Sequence, residues 1–149
     1  ADGEAVYVAV SDAARLGATA DFDPKAGGGL VAIDLATGQK RWSAAPAPCR
    51  DANKSCSPAQ AAAVSVIPGV VFSGSVDGYL RAYSAIEGKI IWEFNTAQPF
   101  NTVNGVAAKG GSISNGGVAV VDGMLFTNSG YSHHSGIIPG NVFLAFAVE

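Results

Sequence analysis

Residues able to do chemistry are sparse in this sequence, and few stand at spacings that chemistry uses. His133 and His134 are adjacent, and neighbours on an extended chain point to opposite sides. Such a pair is a poor chelate and reads as two exposed loop histidines. Asp21-x-Asp23 has the alternation of acidic calcium ligands, but no Gly and Glu follow where a calcium loop needs them, so a surface loop is expected. Cys49 and Cys56 flank a polar stretch with no His or third Cys nearby to complete a metal site. A disulfide between them is worth about 2.5 kcal/mol for so short a ring. It implies an oxidising compartment, periplasmic or extracellular; two unpaired thiols in a reducing cytosol are the alternative. Lys40-Arg41 reads as the solvated edge of an outer strand. No acid, base, nucleophile or metal cluster is legible, so this stretch alone is expected to show no turnover.

The elements that position these residues follow from composition. The chain has 149 residues, 48% apolar and 14% charged, enough for an ordinary core. Its 19 glycines, with Val, Ile, Phe and Tyr in short clusters, fit tight turns between short strands, so the class is all-β. A net charge of −3 with no basic run leaves no electrostatic footprint for nucleic acid or an anionic membrane. No apolar run is long enough to span a bilayer. The start, Ala-Asp-Gly-Glu, is neither a signal peptide nor an initiator methionine, and the first residue is expected to be a cut.

One stretch occurs twice. Gly29 to Trp42 returns as Gly78 to Trp92, with Ala32 matching Ala82, Gly38 matching Gly88 and Trp42 matching Trp92. Each copy reads as a β-hairpin whose turn needs a glycine at positive φ and whose second strand carries a tryptophan. A partial third copy places Ala145 and Phe146 where Ala82 and Tyr83 stand. Four-stranded antiparallel meanders repeating at this spacing are the signature of β-propeller blades. The expected organisation is a single partial propeller of roughly two and a half blades. Residues 1–44 hold three strands of a first blade, 61–95 a complete second blade, and 117–149 three strands of a third. A β-sandwich with two hairpins alike by chance is the alternative. The remaining blades of a larger propeller, or self-association through unpaired strand edges, are the expected partners. In such a meander every long connection, including 11–28, 45–60, 96–116 and 130–140, emerges on one face, where a site is expected.

Ala32-x-Asp34-x-x-Thr37-Gly38-x-x-x-Trp42 resembles the tryptophan-docking motif of pyrroloquinoline quinone dehydrogenases, in which each tryptophan packs against a neighbouring blade. Trp42 and Trp92 are therefore assigned to blade packing. The second copy departs from the motif, with Ser84 and Glu87 in place of the Asp and Thr. The run from Val64 to Gly78, followed by Thr102-Val103-Asn104-Gly105-Val106, Gly110-Gly111-Ser112, Asn128-Ser129-Gly130-Tyr131 and Pro139-Gly140-Asn141-Val142, is similar to the C-terminal part of polyvinyl alcohol dehydrogenases.

The resemblance implies that this stretch belongs to a periplasmic or secreted quinoprotein. There pyrroloquinoline quinone, held with calcium, takes a hydride from an alcohol and passes electrons to a cytochrome c. The adjacent cysteines that ring the cofactor in many such enzymes are not matched by Cys49 and Cys56, and the family's catalytic Asp and calcium ligands match no position here. The connector Asn101 to Ser112 is the candidate cofactor contact. Its glycines, Gly105 and Gly111, allow close backbone approach to a carboxylate-bearing ring, while Thr102, Asn104, Lys109 and Ser112 offer donors. A polar connector whose glycines only turn the chain is the alternative at each position. The second function class is a cofactor-free propeller that binds protein partners, since blade motifs occur in both.

Overall fold

The computed structural model describes residues 1–19, 21–50, 56–131 and 136–147, and these are all-β, with no helix among them. The strands are β1 (Ala5–Val10), β2 (Gly29–Asp34), β3 (Lys40–Ala44), β4 (Ser65–Ile67), β5 (Val70–Gly74), β6 (Tyr79–Ser84), β7 (Ile90–Asn95), β8 (Pro99–Asn101), β9 (Ala107–Lys109), β10 (Ala119–Val121), β11 (Met124–Ser129) and β12 (Val142–Ala147). They form antiparallel sheets in the orders β1-β2-β3, β4-β5-β6-β7, β8-β9 and β10-β11-β12. Among the described residues the second large sheet has four strands in sequential order. The flanking sheets show three strands each.

The repeated hairpins lie in separate sheets and share one register. Ala32 faces Trp42 and Ala82 faces Trp92; in both copies the pairing then slips by one residue, so that Ile33 meets Lys40 and Tyr83 meets Ile90. A bulge at the same place in both copies is a built feature of the repeat. Gly38 and Gly88 close the two turns at the same φ of 69°, a conformation that a side chain disfavours. Asp34 Oδ1 accepts from the Thr37 N–H at 2.9 Å and from the Thr37 hydroxyl at 2.9 Å. In the degenerate copy Ser84 Oγ takes over part of this work, accepting from the Glu87 N–H at 3.2 Å.

Alternation along the middle strands fills the spaces between sheets. Val71 and Tyr83 face the first sheet and pack with Ala5, Tyr7, Leu30 and Ala32. Leu80 and Phe72 face the third sheet and pack with Ala62, Ile113, Val118 and Leu125. Trp42 crosses from the first sheet to the second, donating its indole N–H to the Ala85 carbonyl at 2.9 Å. Trp92 meets Phe146 of the third sheet edge-on, with centroids 5.6 Å apart. Each sheet is thus held to the next partly by an aromatic from its last strand.

Two local expectations differ from what forms. The sequence leads one to expect the inner strand of the second sheet over Ala62 to Ile67, but it begins at Ser65. Ala62 instead turns into the space between the second and third sheets. The connector after β7 contains the hairpin β8–β9, closed by Gly105 at φ 72°.

Candidate functional site

The long connections are hydrogen-bonded into one layer at one end of the sheets. Val76 donates to the Ala59 carbonyl at 3.0 Å, Ile113 to that of Ser75 at 3.0 Å, Ser112 to that of Ile138 at 2.8 Å, and Gly130 to that of Ser112 at 2.9 Å. Each donor and acceptor lies in a different connection, so the layer is a woven platform and not a set of separate loops.

The six connector residues singled out from the sequence do not converge on a common cavity. Thr102, Asn104 and Gly105 form the tip of the β8–β9 hairpin. There Asn104 Oδ1 accepts from the Thr102 hydroxyl at 2.7 Å and the Val106 N–H at 3.2 Å, holding its own turn. Lys109 is exposed, and its backbone N–H goes to Asn141 Oδ1 at 3.0 Å. Gly111 and Ser112 are buried and already engaged. The Gly111 N–H donates to Ser129 Oγ at 2.8 Å, and Ser112 Oγ lies between the Val76 carbonyl at 2.5 Å and the Ile138 N–H at 2.9 Å.

The glycines here serve backbone crossings. A Cβ on Gly110 would lie 1.8 Å from the Thr96 carbonyl oxygen, one on Gly111 2.2 Å from that of Ile138, and one on Gly140 2.4 Å from that of Lys109. At Gly111 the space a side chain would take is filled by the Ile138 backbone, whereas Gly105 at the hairpin tip has nothing within 4 Å.

Among the described residues no three of His, Cys, Asp or Glu come together. His133 and His134 lie outside the described residues. Asp23 caps its own turn, accepting from the Lys25 N–H at 2.9 Å. Cys49 and Cys56 are joined in a disulfide with their Cα atoms 6.1 Å apart. Beside it, Arg50 pairs with Glu93 and its guanidinium lies over the Tyr79 ring, 5.3 Å from the centroid.

Below the platform lies a charged core that the sequence reading did not single out. Arg81 is 1% exposed and its NH2 group reaches Asp77 Oδ2 at 2.9 Å, while NH1 donates to Ser75 Oγ at 2.6 Å. Its Nε faces Glu93 Oε2 at 3.5 Å without a well-formed hydrogen bond. The guanidinium also lies 4.7 Å from the Tyr79 centroid. Tyr79 and Arg81 alternate on β6 and so share one side, while Asp77 reaches Arg81 from the turn before the strand. A second buried relay runs from Gln60 Nε2 to the Tyr83 hydroxyl at 2.9 Å and from the Ser73 hydroxyl to Gln60 Oε1 at 2.7 Å. Burial pushes the Tyr83 phenol above its ordinary pKa, so it stays protonated.

Open space on the platform lies beside Ser114. A cleft of about 280 Å³ is lined by residues including Ser11, Arg15, Phe22, Ser114, Asn115 and Ile137. Ser114 and Asn115 also border a smaller recess with Ser112, Asn128 and Tyr131. The Ser114 hydroxyl is buried with no hydrogen-bond partner among the described residues, and the Arg15 guanidinium stacks 4.9 Å from the Phe22 centroid. These groups are donors and a cation on an apolar ring. The Ser114 and Asn115 side chains can hydrogen-bond a polar ligand group.

Comparison with known proteins decides the relationship. No protein-family model matches the chain. A polyvinylalcohol dehydrogenase from Pseudomonas sp is 40% identical across the whole chain, and one from Sphingopyxis sp. (strain 113P3) is 36% identical across the whole chain. The chain is a relative of the polyvinyl alcohol dehydrogenases. It spans 24% of the length of each of these two relatives. An alcohol dehydrogenase (quinone) dehydrogenase subunit from Gluconacetobacter polyoxogenes is 38% identical over 47% of the chain, which spans 10% of that protein. The docking-motif residues thus lie in a stretch similar to polyvinylalcohol dehydrogenases. No helix among the described residues is long and apolar enough to cross a membrane.

Proposed function

We propose that this stretch supplies about two and a half consecutive blades of a periplasmic quinoprotein that oxidises alcohol groups, polymeric ones included, and delivers electrons to a cytochrome c. The observation that carries the reading is the 40% identity along the whole chain to a polyvinylalcohol dehydrogenase. In the longer protein, pyrroloquinoline quinone with calcium supplies the hydride-accepting chemistry. The residues that hold calcium and take the substrate's proton lie outside this stretch.

What residues 1–149 contribute is wall and support. The cleft at Arg15, Ser114 and Asn115 opens on the platform, where donors for a carboxylate or hydroxyl are of use. The Asp77–Arg81 pair and the woven connections hold that surface fixed, and a binding surface gains when its groups do not reorganise. The disulfide is compatible with an oxidising compartment.

The test is to purify the longer protein free of quinone, add pyrroloquinoline quinone and calcium, and measure quinone retention by equilibrium dialysis. Retention of one quinone per chain is expected. Free passage of the quinone at micromolar concentrations, with calcium present, would contradict the proposal.

A further inference from the structure

Two openings on the platform share Ser114 and Asn115. One is the cleft of about 280 Å³, whose wall includes the apolar side chains of Phe22, Ala61, Val76 and Ile137. The other is a recess of about 20 Å³ bounded by Ser112, Ser114, Asn115, Asn128 and Tyr131. A space of that size takes one water-sized group and nothing larger. All five of its residues carry a hydroxyl or an amide, and none is charged.

Of the three hydroxyls in the recess, two are engaged. Ser112 Oγ donates to the Val76 carbonyl at 2.5 Å and accepts from the Ile138 N–H at 2.9 Å, and the Tyr131 hydroxyl donates to the Asn141 carbonyl at 3.0 Å. Ser114 Oγ is buried with no partner among the described residues. A buried hydroxyl left unpaired is unfavourable, so the recess favours an occupant that hydrogen-bonds. The chain on either side of Ser114 and Asn115 is seated. Ile113 is buried and donates its N–H to the Ser75 carbonyl at 3.0 Å, while Gly116 lies so close to Asn128 that a Cβ there would fall 3.0 Å from Oδ1.

We propose that the recess is a subsite for a hydroxyl that is not being oxidised, borne by a substrate whose aliphatic chain lies in the cleft. Ser114 and Asn115 then select a chain with several hydroxyls over one with a single hydroxyl. The inference rests on the alcohol-oxidising function proposed for the longer protein and adds which group of the substrate these two residues meet. A hydroxyl is neutral, is of this size, and both donates and accepts, which matches the Ser114 hydroxyl and the Asn115 amide. A carboxylate is larger, accepts only, and finds no cation among the five residues. A methyl group fills the volume but leaves Ser114 unpaired.

Isothermal titration calorimetry on the longer protein, freed of quinone so that nothing turns over, tests the subsite with a matched pair of probes. One is a pentanediol with hydroxyls on its second and fourth carbons; the other is the pentanol with a hydroxyl on its second carbon alone. The diol is expected to bind about fivefold or more tighter, as one added hydrogen bond gives. In Ser114→Ala that advantage is expected to shrink to the statistical share of having two equivalent hydroxyls. Ser114→Thr keeps the hydroxyl but fills the recess with a methyl group, and the same loss is expected, so the test does not depend on one variant folding. Equal affinities for the two probes in the unaltered protein, or no saturable binding of the diol, overturn the proposal. So does an advantage that survives both substitutions. Because binding is read without turnover, the two readings fail separately. Dye reduction with equal affinities refutes the subsite alone, whereas a Ser114-dependent preference for the diol without dye reduction supports the subsite and counts against the oxidation.

Discussion

The Trp42 indole donates to the Ala85 carbonyl at 2.9 Å while its ring lies so close over Gly88 that a Cβ there would fall 2.5 Å from Cε3. One tryptophan of the first sheet thus reads the turn of the second through both a polar and an apolar contact. The glycine answers two demands at once, because its φ of 69° closes the turn and its missing side chain admits the indole.

Trp42→Ala is expected to destabilise the protein by about 3 kcal/mol, with loss of packing between sheets and an orphaned Ala85 carbonyl. Gly88→Ala is expected to cost about 1–3 kcal/mol through strain and clash together. In urea unfolding the double variant should cost less than the sum, because the clash needs the indole. Strict additivity would show that the two residues do not share a contact.

Arg81 is a buried cation with its partners fixed around it. Arg81→Ala leaves Asp77 buried and unpaired, and about 3–5 kcal/mol of destabilisation is expected. Replacing both residues with apolar ones of similar volume should recover much of that loss, since a buried pair carries its own desolvation cost. Thermal unfolding of the single and double variants separates the two cases.

The Asp34 carboxyl is held down to about 2, first by the Thr37 N–H, then by the Thr37 hydroxyl and the Arg41 guanidinium. A depressed carboxyl stabilises the fold above its unfolded pKa of about 4. That contribution is lost as pH falls through about 2. Carboxyl-carbon NMR should place its titration near 2, and Asp34→Ala should flatten the stability profile between those two pH values. A titration midpoint at the ordinary aspartate value would mean that the turn does not need the ionised form.

Ser114 and Asn115 border the cleft without belonging to a strand. Asn115→Ala in the longer protein is expected to weaken quinone or alcohol binding by roughly 2- to 10-fold, the worth of one hydrogen bond, with unfolding unchanged. Equal dissociation constants for both ligands would remove the cleft from the ligand chamber.

How far these features could be read beforehand depended on their physics. The hairpin repeat was legible because a turn glycine and a tryptophan leave few alternatives: Gly38 and Gly88, Trp42 and Trp92 recur in one register. The β8–β9 hairpin was overlooked although Asn104-Gly105, a common hairpin turn, announces it; its strands, Pro99–Asn101 and Ala107–Lys109, are too short to show alternation. Gly111 was read as space for a ligand because a glycine permits close approach by anything. Only the fold shows that the Ile138 backbone uses that space. The Arg81 site needed Glu93, and Arg50 beside the disulfide, to come together across strand and loop, which no local spacing reports.

The most direct test of the account is electron transfer by the longer protein that contains these residues. With pyrroloquinoline quinone and calcium bound, an alcohol, polyvinyl alcohol among those tried, should reduce an artificial electron-accepting dye, and the reduction should stop when either quinone or alcohol is withheld. A folded protein that reduces no dye with any alcohol, and leaves the absorbance of added quinone unchanged, would contradict it.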